Sequence, residues 1–326
     1  MNQQATQVDR GLLRGAVPRR DWLKAVGAAL LGAPVLAAEA DGWKAKARKN
    51  LKLGIYSGVY SGLPLEEAVR RIKAQGFSGV LTNYVFADVR FDPLAPDWKA
   101  AKKIADGFER RGIRIVAIFG YYNVVDPDPA RRKLGESRME VLIANWKRLG
   151  CPAISTETGT LNPKSEWLDS PENATEAAYF QCRAAFEKLA KAAEKAGAVV
   201  SIEPYWRNII GSIDRTEQLF REVQSPALKL VMDPCNYFRK EDLARMQPML
   251  EAMFKRLGEQ IVVAHAKDVK ASADGTDLPA SGQGVLDYPL YLRLLAQLDR
   301  EVYLILEHLG LDDVPRARDY VVKAMG

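Results

Sequence analysis

From residue 50 onward, short apolar runs alternate with longer segments whose apolar residues recur at helical spacing. The short runs are 52–57, 79–84, 114–120, 153–157, 198–204, 228–233, 261–266 and 302–307. They are apolar on both faces, as strands buried in a parallel sheet are. The longer segments cover 64–75, 98–111, 131–149, 175–196, 214–223, 241–257, 289–298 and 314–323. Phe186, Leu189, Ala190 and Ala193 show the helical step on one face. Glycines at Gly76, Gly112, Gly150, Gly197 and Gly258 close five of the helices, where a left-handed cap returns the chain to a strand. Eight strand–helix units over about 275 residues predict an α/β chain folded as a single (β/α)8 barrel. The competing architecture, a doubly wound open sheet, carries a glycine-rich turn after its first strand. Here that strand runs into Tyr56-Ser57-Gly58-Val59-Tyr60-Ser61-Gly62, which lacks the GxGxxG spacing.

The segment before the barrel reads differently. Pro18-Arg19-Arg20-Asp21-Trp22-Leu23-Lys24 precedes a weakly apolar stretch from Ala25 to Ala38, and small residues follow at Val35-Leu36-Ala37 and Ala38-Glu39-Ala40. A charged region, a short apolar region and a small-residue cleavage site are the parts of an export signal. The arginine pair followed by an aromatic, Leu and Lys resembles a twin-arginine signal, with Trp22 where Phe is usual. The expected organisation is therefore a cleavable signal at 1–40 and the barrel at 41–326. The protein is expected to pass through the twin-arginine export machinery to the periplasm or the exterior. Cys151, Cys182 and Cys235 are too few for a disulfide scaffold, and buried thiols are expected.

Composition narrows the function classes. The 326 residues are 48% hydrophobic, which excludes disorder. No uninterrupted apolar run reaches the ~18 residues of a membrane span. The net charge of +6 falls to +4 once the first forty residues are set aside, and no Lys/Arg-rich block marks a nucleic-acid partner.

In a (β/α)8 barrel the C-terminal ends of the strands share one mouth. The fifth strand ends Ser201-Ile202-Glu203-Pro204, the sixth Val231-Met232-Asp233-Pro234, the seventh Val263-Ala264-His265-Ala266-Lys267-Asp268 and the eighth Leu304-Ile305-Leu306-Glu307-His308. Four consecutive strands thus bring Glu203, Asp233, His265 and Glu307 to one rim, at spacings of 30, 32 and 42 residues. Any one of them alone reads as a helix cap, a salt-bridge partner or a core histidine. Three carboxylates converging on one mouth repel, and a divalent cation removes that conflict. One imidazole with three carboxylates suits a single divalent metal, with Mn2+ first and Mg2+, Co2+ or Zn2+ as alternatives. Lys267 shares the face of His265 and can steady a substrate oxygen, or else pair with Asp268 or Glu307.

This ordered set of strand ends resembles the xylose isomerase-like barrels, the sugar phosphate isomerase/epimerase superfamily, over roughly 50–326. The resemblance implies a metal held by Glu203, Asp233, His265 and Glu307. It also implies that the two glutamates act as acid and base on opposite faces of a sugar carbon. Such chemistry passes through an enediolate, whose charge a metal stabilises while carboxylates move the proton. The catalytic candidates are Glu203, Glu307 and Lys267. One departure stands out. Epimerases of the superfamily usually carry His three residues after the sixth-strand Asp, and here Asn236 occupies that place.

The remaining rim positions suit sugar rings and hydroxyls. Tyr56, Asn83, Tyr121, Glu157, Trp206, Asn208 and Asn236 are the expected substrate contacts, and Arg207 and Arg239 are candidates for holding an anion. An unphosphorylated ligand fits an exported protein better. The expected activity is metal-dependent isomerisation or epimerisation of a small carbohydrate. Its alternatives are a lyase or dehydratase acting on keto-sugars or keto-glycosides by β-elimination, and a non-catalytic sugar-binding barrel. With only two histidines and mild charge, a DNA-repair endonuclease on the same barrel is disfavoured. A homo-oligomer is compatible with the sequence.

Overall fold

The structure, a computed structural model, describes residues 42–326. The expected export signal lies outside the described residues. A helix at 42–50 (α1) leads into β1 (Leu51–Tyr56). There follow α2 (Leu65–Ala74), β2 (Gly79–Thr82), α3 (Trp98–Glu109), β3 (Arg114–Phe119), α4 (Pro129–Ala144), α5 (Trp146–Leu149) and β4 (Ala153–Glu157). The second half runs α6 (Glu176–Ala196), β5 (Val199–Glu203), α7 (Ile213–Val223), β6 (Leu228–Met232), α8 (Met246–Leu257) and β7 (Ile261–Ala266). A small hairpin of β8 (Lys270–Ser272) and β9 (Gly275–Asp277) precedes α9 (Tyr288–Gln297), β10 (Val302–Leu306) and α10 (Val314–Met325).

Eight strands close in the order β1-β10-β7-β6-β5-β4-β3-β2, every neighbouring pair parallel. This is the (β/α)8 barrel that the alternating pattern predicts. β4 is buried at all five positions, as a strand between a packed interior and a helical layer must be. The helices bury one stripe each, as Phe186, Leu189, Ala190 and Ala193 do on α6. Their starts are set by side-chain caps: Asp97, Asp128, Thr175, Ser212 and Asp287 each accept backbone N–H bonds at the first turn.

Several boundaries differ from the sequence reading. The single helix expected over 131–149 breaks at Asn145, whose side-chain amide donates to Val141 O at 2.9 Å and competes with the helical ladder. The helix expected from 241 begins at Met246, because Pro248 has no N–H and is tolerated only in a first turn. The preceding Lys240–Arg245 is a 3-10 turn. Gly258 has a right-handed φ of −54°, unlike the other four helix-closing glycines, and opens a 3-10 turn. The periodicity also missed α1 and the β8–β9 hairpin. All three cysteines are buried and unbridged, and no helix among the described residues is long and apolar enough to cross a membrane.

Candidate metal centre and active site

The mouth of the barrel is built by strand ends. Glu203 is the last residue of β5, Asp233 follows β6, His265 lies within β7 and Glu307 follows β10. Parallel strands in register hold these positions level, with Ile305 paired to His265 and Glu157 to Glu203. One ligand atom from each of Glu203, Asp233, His265 and Glu307 lies within 4.8 Å of the others. His265 Nδ1 is 3.3 Å from Glu203 Oε1, 3.3 Å from Glu307 Oε1 and 3.5 Å from Asp233 Oδ2.

Lys267 enters the same group. Its ammonium is 2.7 Å from Asp233 Oδ2, 2.8 Å from Glu307 Oε1 and 3.8 Å from Glu203 Oε1, and the side chain is buried. It pairs with Glu307, as one reading of the sequence allowed, but not with Asp268. Asp268 instead accepts from the backbone N–H groups of Val269, Gly282 and Leu286, and so folds the glycine-rich loop after β7. The sequence reading assigned no such role to Asp268.

Burial and charge oppose each other at every member. Burial pushes the Glu307 carboxyl up, but His265 and Lys267 outweigh it and hold the group well below the usual range. Asp233 is likewise lowered, burial being outweighed by Lys267 and His265. Burial favours neutral His265 and Lys267, yet the surrounding carboxylates raise both well above their ordinary values. The donor set fits a divalent cation: three carboxylates and an imidazole converge, with His265 Nδ1 facing all three carboxylates.

Two donors orient Glu203. Tyr121 Oη donates to its Oε2, and Asn236 Nδ2 donates to its Oε1 at 2.7 Å. Above the cluster opens a cavity of about 570 Å³ whose lining includes Glu203, Lys267 and Glu307. Of the expected substrate contacts, Tyr56, Tyr121, Glu157, Asn208 and Asn236 line it.

The sequence profile described as xylose isomerase-like TIM barrel matches residues 69–323. The chain belongs to that family. Among curated protein sequences none matches it. A xylose isomerase-like TIM barrel protein from Mycobacterium smegmatis, in complex with magnesium, superposes with a TM-score of 0.61 at 17% identity, covering 85% of this chain and 96% of that one. The 3-keto-D-glucoside 4-epimerase of E. coli gives 0.62 at 16% identity, covering 84% and 98%. The probable 3-DHS dehydratase of Bacillus anthracis gives 0.65 at 14% identity, covering 84% and 99%. At such identities the likeness establishes the fold, and proteins of that fold carry more than one named reaction.

Two expected contacts of this xylose isomerase-like barrel stand away from the cavity lining. Asn83 donates to Tyr56 Oη at 3.1 Å, so it braces a lining residue from behind. Trp206 donates through Nε1 to Thr276 Oγ1 at 3.2 Å, and the guanidinium groups of Arg207 and Arg239 lie 4.4 and 4.9 Å from its ring. The indole thus fastens the β8–β9 hairpin, and the two arginines expected to hold an anion are stacked on it. The Asn208 amide is also engaged, donating to Glu166 O at 3.3 Å. This tethers the loop carrying Trp167, a half-exposed wall residue the sequence reading omitted. Tyr205, Leu278 and His308 are further omitted lining residues. Tyr205 was findable, since it follows the Glu203-Pro204 strand end directly. His308 has φ +56°, and its Nδ1 lies 2.9 Å from Leu278 O across the mouth.

Proposed function

We propose that this barrel is a divalent-metal-dependent carbohydrate isomerase or epimerase that abstracts a proton next to a carbonyl. The observation that carries the reading is the convergence of Glu203, Asp233, His265 and Glu307 within 4.8 Å at the base of an aromatic-lined cavity. These four residues would hold the ion, with Mn2+ first among Mn2+, Mg2+, Co2+ and Zn2+. When bound, such an ion supplies Lewis-acid stabilisation of negative charge beside the reacting carbon.

The chain's own groups do the rest. Glu203, positioned by Tyr121 and Asn236, takes the proton from the substrate carbon, and Glu307 returns one that it draws from the Lys267 ammonium 2.8 Å away, which the protonated Glu203 then recharges. Lys267 donates to a substrate oxygen as charge develops there. Tyr56 and Tyr121 pack on the ring, and Asn236 bonds a hydroxyl through its free carbonyl oxygen. Removal of residues 1–40 after twin-arginine export is part of the same reading and places the enzyme in the periplasm or outside the cell.

The likeness of the barrel to a named 3-keto-D-glucoside epimerase and to a named probable dehydratase supports a family that moves protons on oxygenated rings. One observation favours a second reaction. Asn236 cannot carry a proton at neutral pH, so a β-elimination that needs only one base remains a distinct reading. The test is NMR of deuterium uptake from D2O into neutral sugars and keto-glycosides, with and without Mn2+. Metal-dependent exchange at one carbon with a rearranged sugar supports isomerisation, and an unsaturated product supports elimination. Absence of exchange with every sugar, despite a bound ion, overturns both. Glu203→Gln is expected to lower exchange by about 100-fold or more.

A further inference from the structure

Glu157 ends β4, level in register with Glu203 on β5, and lines the cavity. Its side chain is 2% exposed, and neither carboxyl oxygen has a hydrogen-bond partner. A buried carboxyl left in this state costs stability, and the ordinary remedy is a cation or an N–H donor. No Lys, Arg or His nitrogen of the described residues pairs with it. Burial pushes its carboxyl well above the ordinary carboxylate range, and Glu166, Glu203 and Asp126 push it the same way. A second unpartnered acceptor, Asn236 Oδ1, lines the same cavity. Lys267 is the one Lys or Arg among the lining residues, and it is committed to Asp233 and Glu307. Arg207 and Arg239 stack on Trp206 and each donates through Nη2 to a backbone carbonyl, and neither is among the lining residues. This wall of the cavity is therefore rich in acceptors and has no free cation.

We propose that Glu157 is a specificity-determining residue whose two oxygens take adjacent hydroxyls of an uncharged polyol and keep phosphate and carboxylate groups out of that wall. Hydroxyls are the donors that match orphaned acceptors, and each can also accept if the carboxyl carries its proton. A phosphate or carboxylate placed there would set further acceptors against acceptors that already lack donors, with no Lys or Arg of this wall to pair with it, which costs affinity in a buried site. The inference rests on the carbohydrate reading above and narrows it to neutral substrates.

The test uses calorimetric binding to Mg2+-loaded protein, without turnover. The probes are D-fructose and methyl β-D-glucoside against D-fructose 6-phosphate and D-glucuronate. Wild type is expected to bind at least one neutral probe and to bind the anionic ones at least ten-fold more weakly. Glu157→Leu is expected to weaken the neutral probe by about ten- to a hundred-fold, the loss of two good hydrogen bonds. Its Mn2+ affinity should be unchanged, which verifies the fold, and its Tm should rise because an unmatched carboxyl is gone. Glu157→Gln, of the same shape, should fall between. Equal affinity for the anionic probes, no neutral binding by wild type, or a Glu157→Leu protein that binds normally overturns the assignment. A protein that binds neutral probes through Glu157 but shows no proton exchange retains this inference and loses the isomerase reading. One that exchanges protons with Glu157→Leu unimpaired retains the isomerase reading and loses this inference.

Discussion

The Lys267 ammonium lies 2.7 Å from Asp233 Oδ2, among the same four side chains that suit a divalent cation. Together with His265 it balances the buried carboxylates. Lys267→Met leaves Asp233 and Glu307 without that partner, and breaking a buried pair from one side costs about 3–5 kcal/mol. A bound cation would supply the missing charge. The metal-free variant should therefore melt well below metal-free wild type, and saturating Mn2+ should recover most of the difference. Thermal unfolding after chelation, with and without Mn2+, checks this. Equal stability of the two metal-free proteins would show that Lys267 does not balance the cluster.

Proton release should accompany metal binding. His265 is held well above its ordinary 6.5 by Glu307 and Glu203 against the effect of burial, and an imidazole must be neutral to ligate. Mn2+ affinity should then rise with pH until His265 is free of its proton. The stability of the metal-free protein should move the other way. A raised imidazole contributes fully below its unfolded value and is lost as pH climbs through the folded one. Calorimetry across pH 6 to 9 (roughly) in buffers of different ionisation enthalpy reads the proton count. A pH-independent Kd would remove His265 from the ligand set.

Strand ends were legible because topology places them. Once eight parallel strands close, the residue that finishes each faces the same mouth, and reading Glu203, Asp233, His265 and Glu307 needs no side-chain detail. Trp206 lies away from the lining for a reason that strand ends do not reveal. An aromatic after a strand end looks like a platform for a sugar, but both its use and its neighbours depend on a hairpin 64 to 71 positions further along the chain. That hairpin has strands of three residues, too short for alternation to show. Asn83 stands one layer back: it touches Tyr56, which lines the cavity.

Asn236 is hydrogen-bonded to Glu203, the proposed base. Asn236 Nδ2 donates to Glu203 Oε1 at 2.7 Å, fixing the orientation of the proposed base. Asn236→Ala removes a hydrogen bond to a charged group, typically about 1.5–3 kcal/mol, so proton exchange should slow roughly ten- to a hundred-fold. Asn236→Asp should be worse, since it sets a second carboxylate against Glu203. Deuterium-exchange rates on the responding sugar, compared at saturating Mn2+, give the measurement. An Asn236→Ala rate equal to wild type would leave the pair without a part in catalysis.

The β8–β9 hairpin should act on the mouth through Gly275. This residue has φ +131°, and a Cβ on it would meet Trp206 Cζ2 at 2.9 Å. Gly275→Ala therefore combines a disfavoured backbone conformation with a clash against a ring held by two guanidinium groups, and about 1–3 kcal/mol is expected. The strain falls on a short hairpin outside the barrel ladder, so it should loosen 270–277 without unfolding the chain. Leu278 follows directly and lines the cavity, where its carbonyl lies against His308. Faster hydrogen exchange confined to 270–280, a raised KM and a nearly unchanged kcat are the expected signature. If exchange rises instead across the barrel strands, the hairpin is part of the core's stability and does not merely border the site.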